Sequence, residues 1–434
     1  MATTDLSPTA ATAAAPSATP DTGPALLRPL RIRDFRLLFA GETISVLGDQ
    51  FHFVALTWLA LQLTGSGLVL GTVLMTAAIP RAAFMLLGGA FSDRFSPRTL
   101  MLASNAIRAV VVGILAALVL TGQAELWHLY LLAATFGIVD AFFYPALNTI
   151  VPMLVPERQL APANALVQSA QQVMGLLGPA LAGAMVAIVQ TGPAFVIDAA
   201  SFAVAALALM LIRGGRRQAT TDGTRQSNVL ATIADGVRAA WADPAVRSIV
   251  VLTSAINFAI VGPMSVGLAI LADTRFDGGA AAFGLLFSAF GAGAVVGAIA
   301  AGSIPRPPRL GTITLAITTL LGLGLAGIGI APTLVVALAI HLVMGVLIGF
   351  VNVQAIAWLQ ARIPDDRRGR VMSLVSLGSV GLAPISLAVA GTLVELGAVT
   401  LIFLAGGAII VAASVTGFAW GVPSQMVWPE EKTT

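Results

Sequence analysis

The 434-residue chain has no cysteine, and only 10% of its residues are Asp, Glu, Lys or Arg. The missing thiols exclude disulfides, thiolate metal sites and cysteine nucleophiles. The sole lysine, Lys432, stands beside the C-terminus. No Walker A lysine therefore exists to hold a nucleotide phosphate, which excludes ATP-driven work by this chain alone. Charge is scarcer than the roughly 25% of a soluble domain, and 57% of the residues are hydrophobic, so an ordinary soluble enzyme is excluded and lipid is the expected surroundings. The formal net charge of +3 is too dilute for a nucleic-acid footprint. No Ser/His/Asp constellation, no H-E-x-x-H and no carboxylate pair beside an exposed cleft is present, which argues against catalysis. His341 has no acid or second histidine at ligand spacing, and no metal or cofactor is expected. Gly322, Gly324 and Gly327 fit G-x-G-x-x-G, but inside an apolar run with no preceding strand; a nucleotide site there is rejected.

What is present is hydrocarbon in lengths that span a bilayer. About 20 apolar residues cross about 30 Å. Twelve such runs are predicted, near 37–63, 67–91, 99–121, 127–150, 164–188, 193–212, 246–271, 281–303, 310–330, 333–359, 370–394 and 398–421. The expected organisation is an unstructured tail (1–30), a six-helix bundle (31–212), a linker (213–245), a second six-helix bundle (246–421) and a tail (422–434). In the linker, Val229, Leu230, Ile233, Val237 and Trp241 recur at helical spacing opposite Asp235 and Arg238, predicting an amphipathic helix on the membrane surface. The first apolar run follows Arg28, Arg31, Arg33 and Arg36 and is too long for a cleaved leader. An inside N-terminus puts 20 of the 23 basic residues in cytoplasmic segments, predicting cytoplasmic termini in a multi-pass protein of a bacterial inner (plasma) membrane.

The two halves repeat. A shift of 208 residues pairs Val155-Pro156-Glu157 with Ile363-Pro364-Asp365, Ala182-Gly183 with Ala390-Gly391, Gly89 with Gly297, Arg98 with Arg306 and Gly137 with Gly345. Six spans per half leave the halves in one orientation, related by an axis along the membrane normal. A rocking carrier uses such duplication; a channel does not require it.

Ionisable groups in hydrocarbon cost from about 2.5 to over 10 kcal/mol each, so they mark function. The spans of the first half hold Glu42, Asp49, Arg81, Arg108, Asp140 and Asp198; those of the second hold only Glu395, near an outer end. At about 1.5 Å per residue, all but Glu42 lie about 14 to 21 Å deep and share a central plane. Arginine keeps its proton, so Arg81 and Arg108 each need an anion. Four acids less two arginines leaves two acids free to exchange protons. His52, one turn from Asp49, is a candidate for the same passage or a hydrogen-bonded packing residue.

Between the second and third spans stands Gly89-Ala90-Phe91-Ser92-Asp93-Arg94-Phe95-Ser96-Pro97-Arg98. It resembles the cytoplasmic G-x-x-x-D-R-x-x-x-R signature of the major facilitator superfamily. The likeness continues through Arg33-Asp34-Phe35, Gly48-Asp49, the run from Pro193 to Phe202, and Arg368-Gly369-Arg370-Val371. It is strongest to the twelve-span drug-efflux branch that includes macrolide and siderophore exporters. The resemblance implies an all-α fold of two six-helix bundles, a gate at Gly89, Asp93, Arg94 and Arg98, and a cavity lined by the first and fourth spans. It places Asp49 first and Asp140 second as proton carriers, Glu42 as a relay toward the cytoplasm, and Arg108 and Asp198 as scaffold charges. Asp49 also has a structural reading, as partner of Arg81. Phe51, Phe53, Trp58, Phe142, Phe143, Tyr144, Asn257, Met264 and Trp358 are candidate cavity walls, because aromatic and methionine surfaces fit varied apolar shapes. The implied activity is proton-coupled export of amphipathic small molecules. A dedicated metabolite or siderophore exporter and a proton-coupled importer stay open; a membrane scaffold or sensor is remoter.

The cysteine-free background gives a direct topology test. Single cysteines at Ser66, Gln218 and Gly397 are expected to react with an impermeant maleimide in intact cells, except the one at Gln218; labelling at all three contradicts the orientation.

Overall fold

Hydrocarbon offers no hydrogen bonds, so each spanning segment must satisfy its backbone internally, which a helix does within one stretch of chain. In the computed structural model, which describes residues 25–92, 96–214, 244–304, 307–363 and 378–428, twelve helices are long and apolar enough to span. They are α1 (Arg33–Thr64), α2 (Gly67–Ser92), α3 (Pro97–Leu120), α4 (Leu126–Leu154), α5 (Leu160–Val189) and α6 (Thr191–Leu211), followed by α7, built from Pro244–Gly262, a π-helical turn Pro263–Gly267 and Leu268–Thr274. Then come α8 (Gly279–Ser303), α9 (Leu310–Gly329), α10 (Leu334–Arg362), α11 (Ala383–Glu395, within a span from Gly378) and α12 (Val399–Ala419). The predicted linker helix, Asp93 and Arg94 lie outside the described residues.

The repeat seen in the sequence recurs in the packing. Within the first six helices α2 packs on α4, and α6 on α1 and α3; in the second six, α8 packs on α10, and α12 on α7 and α9. Gly137 and its repeat partner Gly345 do the same job. A methyl group on Gly137 would strike the Ala77 carbonyl of α2, and one on Gly345 would strike the Phe290 carbonyl of α8. Small residues substitute for a hydrophobic drive that lipid cannot supply between helices. The two bundles then meet through α2 against α11 and α5 against α8, a pair of contacts that interchange when the halves are swapped.

Those contacts are not evenly spread. Gly71 on α2 sits so close to α11 that a methyl there would lie 3.1 Å from the Gly391 Cα, and one on Gly183 of α5 would lie 3.1 Å from the Gly284 Cα of α8. Ser66 donates to Glu395 at 2.7 Å, and Phe53 of α1 meets Phe283 and Phe287 of α8 at 5.7 and 5.3 Å. All of these approaches lie toward the end carrying the α1–α2 loop. Toward the end carrying the termini, Asn164, Gln168 and Gln172 form an exposed stripe on α5, and Asn148 of α4 and Asn352 of α10 are exposed as well. Amides facing lipid are costly, so these exposed side chains are expected to face a polar space on the termini side. The glycines of α5 and α8 divide between tasks. Gly183, Gly284 and Gly291 join the bundles, whereas Gly293 and Gly297 seat α10, and Gly178 seats Gln50 of α1.

Gly183→Val is expected to separate the bundles at their closed end, read as a longer spin-label distance between cysteines placed at Gln123 and Pro332. Gly113→Val, where a methyl meets nothing nearer than 3.9 Å, is expected to leave that distance unchanged.

Candidate functional site

A guanidinium in a membrane interior needs an anion, π faces or both. Arg108 on α3 has both. It donates to Asp140 of α4 and is enclosed by the rings of Phe136, Phe143 and Phe202, whose centroids lie 4.8 to 5.5 Å away. Arg81 on α2 comes to the other oxygen of the same carboxylate, 3.9 Å away, and lies 5.3 Å over the ring of Tyr144. The side chain of Arg108 is 3% exposed and that of Arg81 is 40% exposed. Two cations therefore converge on one acid, and that leaves three of the four acids within the spans of the first bundle, Glu42, Asp49 and Asp198, without a guanidinium partner among the described residues.

Asp198 on α6 is one of the three. Its Oδ2 lies 2.9 Å from Nδ1 of His52, whose ring stacks on Phe136 at 4.0 Å. The approach of α1 to α6 depends on Gly48, where a methyl group would strike the Ser201 hydroxyl and lie 3.0 Å from Asp198 Oδ1. The other two are Glu42, buried, and Asp49, half-buried, both on α1 and both without an ion pair among the described residues. Asp49 is near enough to Glu42, Asp140, Asp198, His52 and Arg108 for their charges to act on it, so it belongs to the same cluster.

The geometry revises several sequence readings. Asp49 does not pair with Arg81, because Arg81 turns to Asp140. Arg108 and Asp198, expected as peripheral scaffold charges, lie in the bundle interior beside Asp140 and His52. Arg98 donates to the Leu209 and Met210 carbonyls at 2.8 Å each. It thereby caps the C-terminus of α6, where a cation complements the helix dipole, rather than latching the halves. Of its motif partners, Asp93 and Arg94 lie outside the described residues and Gly89 is described by its backbone alone, within α2.

The proposed wall residues separate into groups. Tyr144 is 42% exposed, and Asn257, which donates to the Thr253 carbonyl at 2.9 Å, is half-buried. Phe53 bridges the bundles, and Trp58 lies near Gly279 of α8. Phe142 packs toward Phe84 of α2 at 6.1 Å. Phe51 and Met264 are buried in the main apolar cluster, Met264 within the π-helical turn of α7, and Phe143 is buried under Arg108. Trp358 is fully buried with its Nε1 donating to the Val427 carbonyl at 2.9 Å, where it packs α10 against the C-terminal segment and does not border that polar space. Sequence reading missed Asn105, one turn from Arg108 on α3 and 1% exposed; an amide at i−3 from an intramembrane arginine was the available signal.

With the site described, its relatives can be compared. The model of the Major Facilitator Superfamily matches residues 38–386. The uncharacterized MFS-type transporter YfiS of Bacillus subtilis is 28% identical, covering 86% of this chain and 90% of that protein. Macrolide efflux protein A of Streptococcus pyogenes is 22% identical, covering 88% and 94%, and the multidrug efflux pump Tap of Mycolicibacterium fortuitum is 26% identical, covering 85% and 91%. Among solved structures, a bacterial homologue of the iron transporter ferroportin in an inward-facing state aligns with a TM-score of 0.70 at 18% identity, over 90% of this chain and 98% of that one; at that identity the likeness concerns the fold.

Asp140→Asn removes the anion from two guanidinium groups, one of them enclosed by protein. It is expected to destabilise the fold by about 3 kcal/mol, seen as a clear fall in thermal unfolding temperature in detergent. Arg81→Gln, at the more exposed partner, is expected to cost well under half of that; equal losses contradict the asymmetry.

Proposed function

This chain belongs to the major facilitator superfamily and is a multi-pass membrane transporter rather than an enzyme, and we propose that it exports amphipathic small molecules in exchange for protons. One observation carries the proposal. Asp49, half-buried within the charge cluster, has no ion-pair partner among the described residues, while Arg108 and, more loosely, Arg81 lie against Asp140. A carboxyl group without a fixed cation has two states available in low dielectric, neutral with a proton or ionised beside a mobile cation.

The cycle follows from that choice. With a crevice between the bundles open at the termini end, a molecule from the cytoplasm brings its apolar body against Tyr144 and neighbouring walls and its basic group to Asp49. Binding displaces the proton, so the two cations compete for one carboxylate. Closure of the termini end and separation of the α2–α11 and α5–α8 contacts expose the site to the opposite side, where a proton replaces the molecule. Glu42, two turns nearer the termini end of α1, serves as a relay, and the His52–Asp198 pair lies beside the path. The termini are cytoplasmic and the membrane is the bacterial inner membrane in this reading. Export is supported by the two relatives named for macrolide and multidrug efflux; the arginine distribution of the loops supports only the orientation.

In inverted membrane vesicles, an inside-acid gradient is expected to drive accumulation of an amphipathic cationic dye. Asp49→Asn is expected to abolish that uphill accumulation while leaving protein level and downhill equilibration largely intact. Accumulation only with the opposite gradient supports import instead; undiminished uphill transport by Asp49→Asn makes Asp49 structural.

A further inference from the structure

The cation left over at this site is Arg81. Its nearest anion is an Asp140 oxygen 3.9 Å away, beyond hydrogen-bonding distance, while the other oxygen of that carboxylate is already taken by Arg108. Among the described residues the Arg81 fork makes no hydrogen bond, and its ion-pair contact to Asp140 and the Tyr144 ring are its polar surroundings. An arginine in a spanning helix with idle donors is expensive to keep. Its planar fork fits the paired oxygens of a carboxylate, sulfonate or phosphate.

The position suits a ligand. Tyr144 is 42% exposed although protein encloses most of its surroundings, the condition of a side chain lining a crevice. The Tyr144 ring lies 5.3 Å from the Arg81 guanidinium, and Asp49 is near enough for its charge to act on Tyr144. Asp140, Tyr144 and the exposed Asn148 fall at i, i+4 and i+8 on one face of α4. That face thus offers an anchored carboxylate, a π surface and an amide in succession beside a guanidinium whose donors make no hydrogen bond among the described residues.

We propose that Arg81 is an anion-accepting subsite, so that the exported molecule is an amphipathic zwitterion whose acidic group sits on Arg81 while its basic group sits on Asp49. The assignment rests on the export reading and refines it. A purely anionic molecule would bind best with Asp49 protonated and so travel with the proton; the basic group restores competition at Asp49.

Three probes on one scaffold separate the contributions: 1-pyrenebutyrate, 1-pyrenebutanol and 1-pyrenebutylamine, their binding to the purified full chain followed by tryptophan-to-pyrene energy transfer. The butyrate is expected to bind about tenfold more tightly than the alcohol, the size of one charge-assisted contact. In Arg81→Gln that ratio is expected to fall to about one, while Asp49→Asn keeps it and loses the preference for the amine. Equal binding of butyrate and butanol by the unsubstituted chain, or a preference that survives in Arg81→Gln, overturns the subsite. Should Arg81→Gln fail to fold, Arg81→Lys is read in its place: loss of the fork lowers the ratio about threefold or more, and an unchanged ratio overturns the assignment. Binding is measured without a gradient, so failure of the vesicle assay with the acid preference intact sinks the export reading alone.

Discussion

Two guanidinium groups and one carboxylate set the electrostatics of the first bundle. Neither arginine sheds its proton, and taking either into the membrane is tolerable only with an anion or aromatic faces nearby. Asp140 receives Arg108 on one oxygen and lies 3.9 Å from Arg81 on the other. Because α4 supplies that single anion to both α2 and α3, it ties three helices together, and Glu42 and Asp49 of α1 are relieved of any structural duty toward an arginine. The freedom of Asp49 is thus a product of how Asp140 is used.

The packing has a matching division of labour. Inside each bundle the helices are locked at Gly137 and Gly345, where no side chain fits. Between bundles, among the described residues, small residues of α2, α5, α8 and α11 make the close backbone approaches, with Phe53 and the Ser66–Glu395 hydrogen bond beside them. Glycine contacts cost little to part and leave no bulky knob to extract, so a surface of this type can open and close while the locked interiors move as units. The charge cluster belongs wholly to the first bundle, whereas the proposed crevice is bounded by both. In the proposed exchange, a proton taken up on α1 changes the polarity of a space that the second bundle also borders.

Much of the architecture was legible from the residues. Twelve apolar lengths, the arginine distribution and the 208-residue repeat anticipated the helices and their symmetry, because bilayer thickness imposes a one-dimensional rule that a sequence displays directly. The intramembrane charges were equally visible. Their pairing was not: depth along the chain placed Asp49, Arg81, Arg108, Asp140 and Asp198 in one plane, but which side chains meet depends on helix rotation. Counting four acids against two arginines suggested one anion each, and only the fold reveals both cations at Asp140 and His52 at Asp198. Trp358 misled for the same reason, since an aromatic residue near the end of α10 reads alike whether it borders a crevice or packs, as it does, on Val427.

The central claim is that Asp49 holds a proton that a cationic ligand displaces. Proton release can be followed directly with a pH indicator when tetraphenylphosphonium is added to the purified protein in weakly buffered detergent. The account predicts release approaching about one proton per protein at saturation, and none from Asp49→Asn. Binding without release in the unsubstituted chain, or undiminished release from Asp49→Asn, contradicts it.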